Sequence, residues 1–286
     1  MTPNENNNTR EEEFFKKVEV GYSQTKEQIW DQLSDKVKET KTATTEPIVI
    51  PISPWFKRAA AIAAVLLIGA TMFIGLYSNT ITSQRGEMIS HTLPDGSTIQ
   101  LNAESSISYR PFFWQIGRKV SFEGEGFFQI KKGSNFAVVS DNGTTQVLGT
   151  SFNISTRNDH YEVFCATGKV RVSSNKISDE IILTPNMWVK INGTTDLQND
   201  VLTTHVLAWK ENKFHFTAKQ VNEVFQELER QYNISIELNG INAEELTYSG
   251  YFNKTENPES VLSLICESFG FTFVKQQENS YTVSQN

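Results

Sequence analysis

Residues Ala59 to Tyr77 read AAAIAAVLLIGATMFIGLY, without one charged side chain. Coiled as an α-helix, such a run would be roughly 28 Å long, close to the hydrocarbon thickness of a bilayer. A buried core helix is usually shorter and keeps a polar stripe. Here Thr71 stands alone among apolar residues, with small-residue breaks at Gly69, Ala70 and Gly75. A cleaved signal peptide would begin near the N-terminus, and this run begins only after residue 58. The pattern predicts a single transmembrane helix, with its flanks residues 55–78. Elsewhere the composition is ordinary, 38% hydrophobic and 21% charged, which excludes a multispanning protein or a wholly disordered chain.

The flanks predict orientation. Lys57 and Arg58 abut the start of the run and Lys41 precedes them, whereas Arg85 is the first positive side chain after it. The excess of positive charge predicts a cytoplasmic N-terminus, with Trp55 and Phe56 at the inner interface and Tyr77 at the outer one. The bulk of the chain then lies outside, on the periplasmic side of an inner membrane. A small inner tail, one span and a large outer portion is the layout of a signal relay. The net charge of −7 argues against direct binding of nucleic acid, and two cysteines exclude a disulfide framework or a cysteine-built metal site.

Residues 1–54 form the predicted cytoplasmic tail. After a polar start, Arg10 to Val18 could make a turn or two of helix around Phe14 and Phe15. A clearer helix is predicted from Lys26 to Glu39, opened by Thr25 and Gln28 at capping-box spacing. Ile29, Leu33 and Val37 fall at i, i+4 and i+8 beside Trp30, forming one apolar stripe. A tail this short cannot bury that stripe unaided. Membrane-surface helices carry a basic polar face, and this one is mixed and slightly acidic, so a groove on a partner protein is the better fit. Pro47, Pro51 and Pro54 then interrupt helix and predict an extended linker into the membrane.

Two folded modules are predicted outside. From Gln84 to Leu202, apolar and polar residues alternate between turn signals, as expected for an antiparallel-rich all-β domain over residues 84–202. Its clearest hairpin joins Ile89–Leu93 to Ser97–Leu101 through Pro94-Asp95-Gly96. Residues 210–286 predict a small β-α-β-β-α-β domain forming one sheet with two helices on one face. In its first helix Val221, Val224, Phe225 and Leu228 make the apolar face, with Thr217 and Gln220 at capping-box spacing. In its second, Asn257 is the cap, Pro258 the first helical residue and Phe269-Gly270 the end. The fold class is therefore mainly β with α/β, plus one transmembrane helix and a short helical tail.

The order of phrases resembles a known family. LPDGSTIQLNAESSISY, RKVSFEGEGFFQI, FAVVSD, VLGTSFNIST and YEVFCATGKVRVSS are similar to the FecR domain of membrane-bound anti-sigma regulators. The resemblance rests on Asp95, Gly96, Asn102, Gly124, Glu125, Gly149, Thr150, Phe152 and Gly168, read as structural motif residues. Gly126 stands where the family usually has alanine, Thr167 where it has glutamate, and Thr184 to Met187 where a glycine is common. FHFTAKQVNEVFQELERQYNISIEL and YSGYFNKTENPESVLSLICESFGF resemble the domain that commonly follows, similar in element order to the short domain of secretins and TonB-dependent receptors. TKEQIWDQLSDKV resembles the sigma-binding segment, with Trp30 at its tryptophan.

The resemblance implies an anti-sigma factor in the inner membrane. It would relay a signal from the periplasmic signalling domain of a TonB-dependent outer-membrane transporter to an extracytoplasmic-function sigma factor, controlling transcription of transport genes. Regulated proteolysis near the membrane, by an intramembrane protease, accompanies release in many such systems. Ile29, Trp30, Leu33 and Val37 are then the expected sigma-factor contacts.

Two other classes compete with it, a structural or assembly component of an envelope export complex and a membrane-anchored envelope enzyme. The four histidines, His91, His160, His205 and His215, are scattered in sequence without an H-E-x-x-H pair. No G-x-S-x-G elbow or phosphate loop is present. Glu125 is expected to be a solvent-facing strand residue, and Cys165 and Cys266 to be buried apolar ones. No catalytic residue, metal site or cofactor is expected.

Overall fold

The computed structural model describes residues 23–41, 53–255 and 257–285. The chain divides into two compact units, residues 1–65 and 66–286. In the first, α1 (Lys26–Lys41) opens with the capping box. Thr25 N donates to Gln28 Oε1 at 3.0 Å and Gln28 N to Thr25 Oγ1 at 3.4 Å, which satisfies two amides that a helix start leaves over. The turn expected around Phe14 and Phe15, and linker prolines Pro47 and Pro51, lie outside the described residues. Pro54 opens α2 (Pro54–Leu76) rather than ending a linker, its fixed φ and missing N–H being harmless at a first position. Among the described residues α2 alone is long and apolar enough to cross a membrane, and none of it is buried. Thr71 donates its hydroxyl to Ile68 O at 2.9 Å, so its polar group needs no partner outside the helix.

Only Tyr77 and Ser78 separate α2 from β1 (Asn79–Ser83), ahead of the start expected at Gln84. NTITS carries a single large apolar residue and shows little pattern. It becomes a strand because β4 (Ser105–Tyr109) pairs with it, from Asn79 opposite Tyr109 to Ser83 opposite Ser105. One seven-stranded sheet runs β1, β4, β5 (Arg118–Glu123), β7 (Phe136–Val139), β8 (Thr144–Val147), β11 (Val170–Ser173), β12 (Ile181–Leu183). The other runs β14 (Thr195–Gln198), β13 (Trp188–Ile191), β10 (Tyr161–Thr167), β9 (Ser151–Ser155), β6 (Glu125–Gln129), β3 (Thr98–Leu101), β2 (Ile89–Thr92). Within these two sheets every pairing is antiparallel except β5 with β7. Alternation decides the faces: Val120 and Phe122 of β5 point inward while Lys119 and Ser121 point out. Between the sheets Phe128 stacks on Phe152 at 5.1 Å, with Leu101, Ile107, Val138, Ile154 and Val163 fully buried around them.

The strand registers sort the loops into two ends. The turns 94–97, 110–117, 130–135, 148–150 and 167–169 lie at one end, where β1 also begins. Residues 84–88, 102–104 and 156–160 and the β5–β6 corner lie at the other. Gly96 takes φ +78° in the expected hairpin turn, closed by Leu93 N donating to Ser97 O at 2.8 Å.

A packed connector, with Ala208 and Trp209 buried, leads to the second module. It comprises β15 (Lys213–Gln220), α3 (Val221–Tyr232), β16 (Ser235–Asn239), β17 (Thr247–Asn253), α4 (Pro258–Phe269), β18 (Phe271–Gln277) and β19 (Ser280–Gln285). α4 ends match the sequence reading: Asn257 accepts from Glu259 N at 2.9 Å and Gly270 closes the helix at φ +67°. Two expectations are corrected. The strands form two sheets, β15–β17 and β16–β19–β18, instead of one. Thr217 and Gln220 form no capping box, because β15 continues through a bulge to Gln220 and α3 begins only at Val221. Carbonyls of a distant loop serve instead, Val221 N donating to Leu246 O at 2.9 Å and Asn222 N to Ala243 O at 3.4 Å. The module's core joins Val224, Phe225 and Leu228 of α3 to Val261, Leu262 and Ile265 of α4.

Candidate functional site

Two features stand out, one in each compact unit. The first is the stripe on α1. Trp30 is 72% exposed, Leu33 51% and Val37 53%, and Ile29 is half-buried. The helix is formed and capped, so its side chains project in a fixed row, yet nothing among the described residues covers them. Water in contact with such a row is unfavourable, roughly 25 cal/mol for each Å² of apolar surface.

The second is a buried polar junction where the far end of the sandwich meets α3. At its centre Arg157 donates to Glu227 Oε2 at 2.6 Å and to Ala103 O at 2.5 Å. Arg230 reaches the same Glu227 oxygen at 3.0 Å. Gln231 spans the junction, donating to Asn102 Oδ1 at 2.7 Å and to Glu227 Oε1 at 2.9 Å. Asn102 in turn donates to Glu125 Oε2 at 2.8 Å, and Asn153 to Glu125 Oε1 at 3.2 Å. Arg157 lies 3.6 Å from Glu125, and Gly86 N donates to Arg230 O at 2.7 Å. Glu125 is thus not the solvent-facing residue expected from strand alternation. Its side chain is only 17% exposed, because a second module covers a surface that a lone sandwich would leave wet.

Environment drives the two carboxylates apart. Burial raises the pKa of Glu125, against the pull of Arg157. Burial would raise Glu227 as well, but the guanidinium groups of Arg157 and Arg230 outweigh it and hold that carboxyl well below the usual range. Removing Arg157 would therefore leave Glu125 without a cation and Glu227 with Arg230 alone.

The nine motif residues separate into three groups. Asn102, Gly124 and Glu125 meet at the junction, where Gly124 has φ +97° and a Cβ would stand 2.7 Å from Glu104 O. Asp95 and Gly96 form the hairpin turn at the opposite end, and Arg118 bonds Asp95 at 2.8 Å. Gly149, Thr150 and Gly168 lie at that same end, Thr150 donating to Lys169 O at 3.0 Å, while Phe152 is core. The α1 stripe residues belong to none of these groups. Arg157, Glu227, Arg230 and Gln231 escaped the sequence reading. Arg157 and Glu227 are 70 positions apart, and a charged residue on the polar face of an amphipathic helix looks like any solvated one.

The histidines are less scattered in space than in sequence. His160, His205 and His215 line one cleft of about 530 Å³ beside the junction, and His205 and His215 stack at 3.9 Å. Of the carboxylates there, Glu125 and Glu227 are engaged by arginine and amide groups, Glu162 by Lys190, and Glu223 by Lys219 with His160 facing it at 3.7 Å. Among the described residues no hydroxyl or thiol is hydrogen-bonded to these three rings, and no group of three or more side chains could hold a metal ion. Cys165 and Cys266 are free and buried, and burial pushes both thiols up to about 11.

Comparison with known proteins agrees with this layout. The family described as FecR protein matches residues 79–171, and the family described as FecR, C-terminal matches residues 213–283. Two crystal structures of a candidate anti-sigma factor from Parabacteroides distasonis, at 2.50 and 1.65 Å, are similar over 73% of this chain. Each is 28% identical in sequence, with TM-scores of 0.67 and 0.66, and the match covers 100% and 99% of those chains. No curated protein matches. The sandwich with its GEGFF strand and the α/β module docked on it identify this chain as belonging to the FecR family of anti-sigma factors.

Proposed function

We propose that the chain holds an extracytoplasmic-function sigma factor in the cytoplasm through the α1 stripe, under control of a signal received outside by the second unit. The observation that carries this reading is the bare row of Trp30, Leu33 and Val37 on a formed helix. A rigid aromatic flanked by aliphatic side chains at helical spacing fits a hydrophobic groove on a partner. The positive residues Lys57 and Arg58 at the start of α2 support an inner N-terminus, which leaves both outer modules in the periplasm.

Outside, the incoming signal is the signalling domain of a TonB-dependent outer-membrane transporter. The α/β module offers it open strand edges, since β16 and β18 both border the three-stranded sheet, and Val274 on β18 is exposed. Addition of a strand there would form main-chain hydrogen bonds with no new pocket. Binding outside can alter the tail only through a free-energy difference between free and bound outer states. The junction of Arg157, Glu227 and Gln231 is the natural element to differ, because its charges are stable only when fully assembled. An intramembrane protease acting on α2 would make the output all-or-none. The role is regulatory and calls for no catalysis or cofactor.

Capture of purified sigma factors by the full-length chain tests the inner contact. Trp30→Ala with Leu33→Ala should abolish capture while the helix and the outer modules stay folded. Undiminished capture by that variant would sink the proposal. Reporter fusions at the two termini check the orientation, the expected result being N-terminus inside and C-terminus outside.

A further inference from the structure

The end of the sandwich opposite the junction has the make-up of a membrane-contacting surface. Between β4 and β5 the loop 110–117 exposes Phe112 by 56%, Phe113 by 37% and Ile116 by 83%, and Leu148, after β8 at the same end, is 63% exposed. They share one end of the sandwich, and the loop 110–117 also touches the span. Gly133 N donates to Leu148 O at 2.8 Å, linking two of the loops. The Tyr77 ring, one residue past α2, lies 5.6 Å from Phe112 and 5.7 Å from Phe73 of the last helical turn. The pairing of Asn79 with Tyr109 fixes this arrangement, because it brings the first residue of β1, two residues after the helix link begins, level with the start of the loop.

The loop is held rather than loose. Trp114, 3% exposed, anchors it against Tyr109 at 5.4 Å and Phe136 at 6.1 Å. Arg118 ties three segments together through Asp95, Lys131 O and Ser134 O. Charge follows the same plan. The turns 94–97, 110–117, 130–135 and 167–169 carry Arg110, Lys131, Lys132 and Lys169, all exposed, with Lys119 just inside β5, and the one carboxylate in these turns, Asp95, is bonded to Arg118. Exposed aromatic and aliphatic side chains rimmed by lysine, at the mouth of an apolar helix, match the interfacial layer of a bilayer and its anionic headgroups.

We propose that this end of the sandwich rests on the outer surface of the membrane, with Phe112, Phe113, Ile116 and Leu148 in the interfacial layer and Lys131, Lys132 and Lys169 on lipid phosphates. The proposal rests on α2 crossing the bilayer. It gives the domain a fixed stance, because two short residues and a seated loop leave little freedom to swivel.

The test is spin-label depth in the full-length chain reconstituted into vesicles of phosphatidylcholine and phosphatidylglycerol. Single labels go at Ile116→Cys, Leu148→Cys, Ser178→Cys at the far end, and Leu67→Cys within α2. The native thiols, buried and raised to about 11, stay unlabelled at neutral pH. Collision with oxygen should exceed collision with an aqueous nickel complex severalfold more at Ile116 and Leu148 than at Ser178. Nickel access at Ile116 equal to that at Ser178, with Leu67 sheltered in lipid, overturns the proposal and leaves the span standing. An aqueous Leu67 overturns both. A label at Ile116 closed to oxygen and nickel alike means that a second copy covers the patch, which also overturns it. In vesicles of phosphatidylcholine alone the Ile116 label should sit shallower, and an unchanged depth refutes the role given to the lysines.

Discussion

Helices α1 and α3 carry nearly the same message and meet opposite fates. Both show apolar residues at helical spacing, and both are preceded by a threonine and a glutamine three residues later. On α1 the capping box forms and the apolar row stays exposed. On α3 the box does not form, yet Val221, Val224 and Leu228 are fully buried and Phe225 is 2% exposed. Even the polar face of α3 is used, since Glu227, Arg230 and Gln231 build the junction. The contrast teaches that an amphipathic pattern states a need for cover and not its source. For α3 the cover is the chain itself; for α1 it is the proposed partner.

The contrast can be broken most directly in the core of α3. Phe225→Ala should cost about 3–5 kcal/mol in unfolding free energy, as truncation of a buried aromatic does, while Trp30→Ala should stay within about 0.5 kcal/mol. Chemical unfolding of the solubilised full chain measures both, and comparable losses would mean that the α1 row is covered after all. Arg157→Met should cost about 3–5 kcal/mol by leaving Glu125 with no cation beside it and Glu227 with Arg230 alone, and should loosen protection of the amide of Gly86 in hydrogen exchange. On the α1 side, Trp30→Ala with Leu33→Ala should weaken sigma-factor affinity by about 2–4 kcal/mol in titration calorimetry.

A pH titration sharpens the role of the α3 polar face. Glu227 has a folded pKa below its ordinary value of 4.5, so its contribution to stability is present above that pH. It is lost as acid carries the solution below 4.5 through the lowered folded value. Glu227→Gln should flatten the acid limb of the stability curve in thermal unfolding between pH 7 and pH 3, and an unaltered limb would remove the junction from the explanation. Smallest of all, Thr25→Ala should cost α1 about 1 kcal/mol of helix stability by circular dichroism of the tail, while Thr217→Ala should leave α3 unaffected.

What could be read from the chain depended on the range of the forces involved. The hairpin around Asp95 and Gly96, the Thr25 cap, and the Asn257-Pro258 start and Gly270 end of α4 are all settled within a few residues, and local chemistry marks them. The two-residue link from α2 to β1 was missed because Asn79 to Ser83 is a strand only through its partner Ser105 to Tyr109. Thr217 misled for a related reason: a bulge in β15 and carbonyls from residues 243 and 246 took over the helix start. The stripe of Ile29, Trp30, Leu33 and Val37 was legible as a face, and the junction was not, since its members look like solvent-exposed charge until the two modules meet.

By itself the sequence determined where an apolar helix divides the chain and which faces of its strands and helices avoid water, because hydrophobicity and short-range hydrogen bonding act residue by residue. Only the tertiary structure decided that Glu125 is buried among Asn102, Asn153 and Arg157, and that Phe112 lies beside Tyr77 at the mouth of the helix. Those outcomes depend on contacts between residues far apart in the chain, whose environments exist only once both partners have folded.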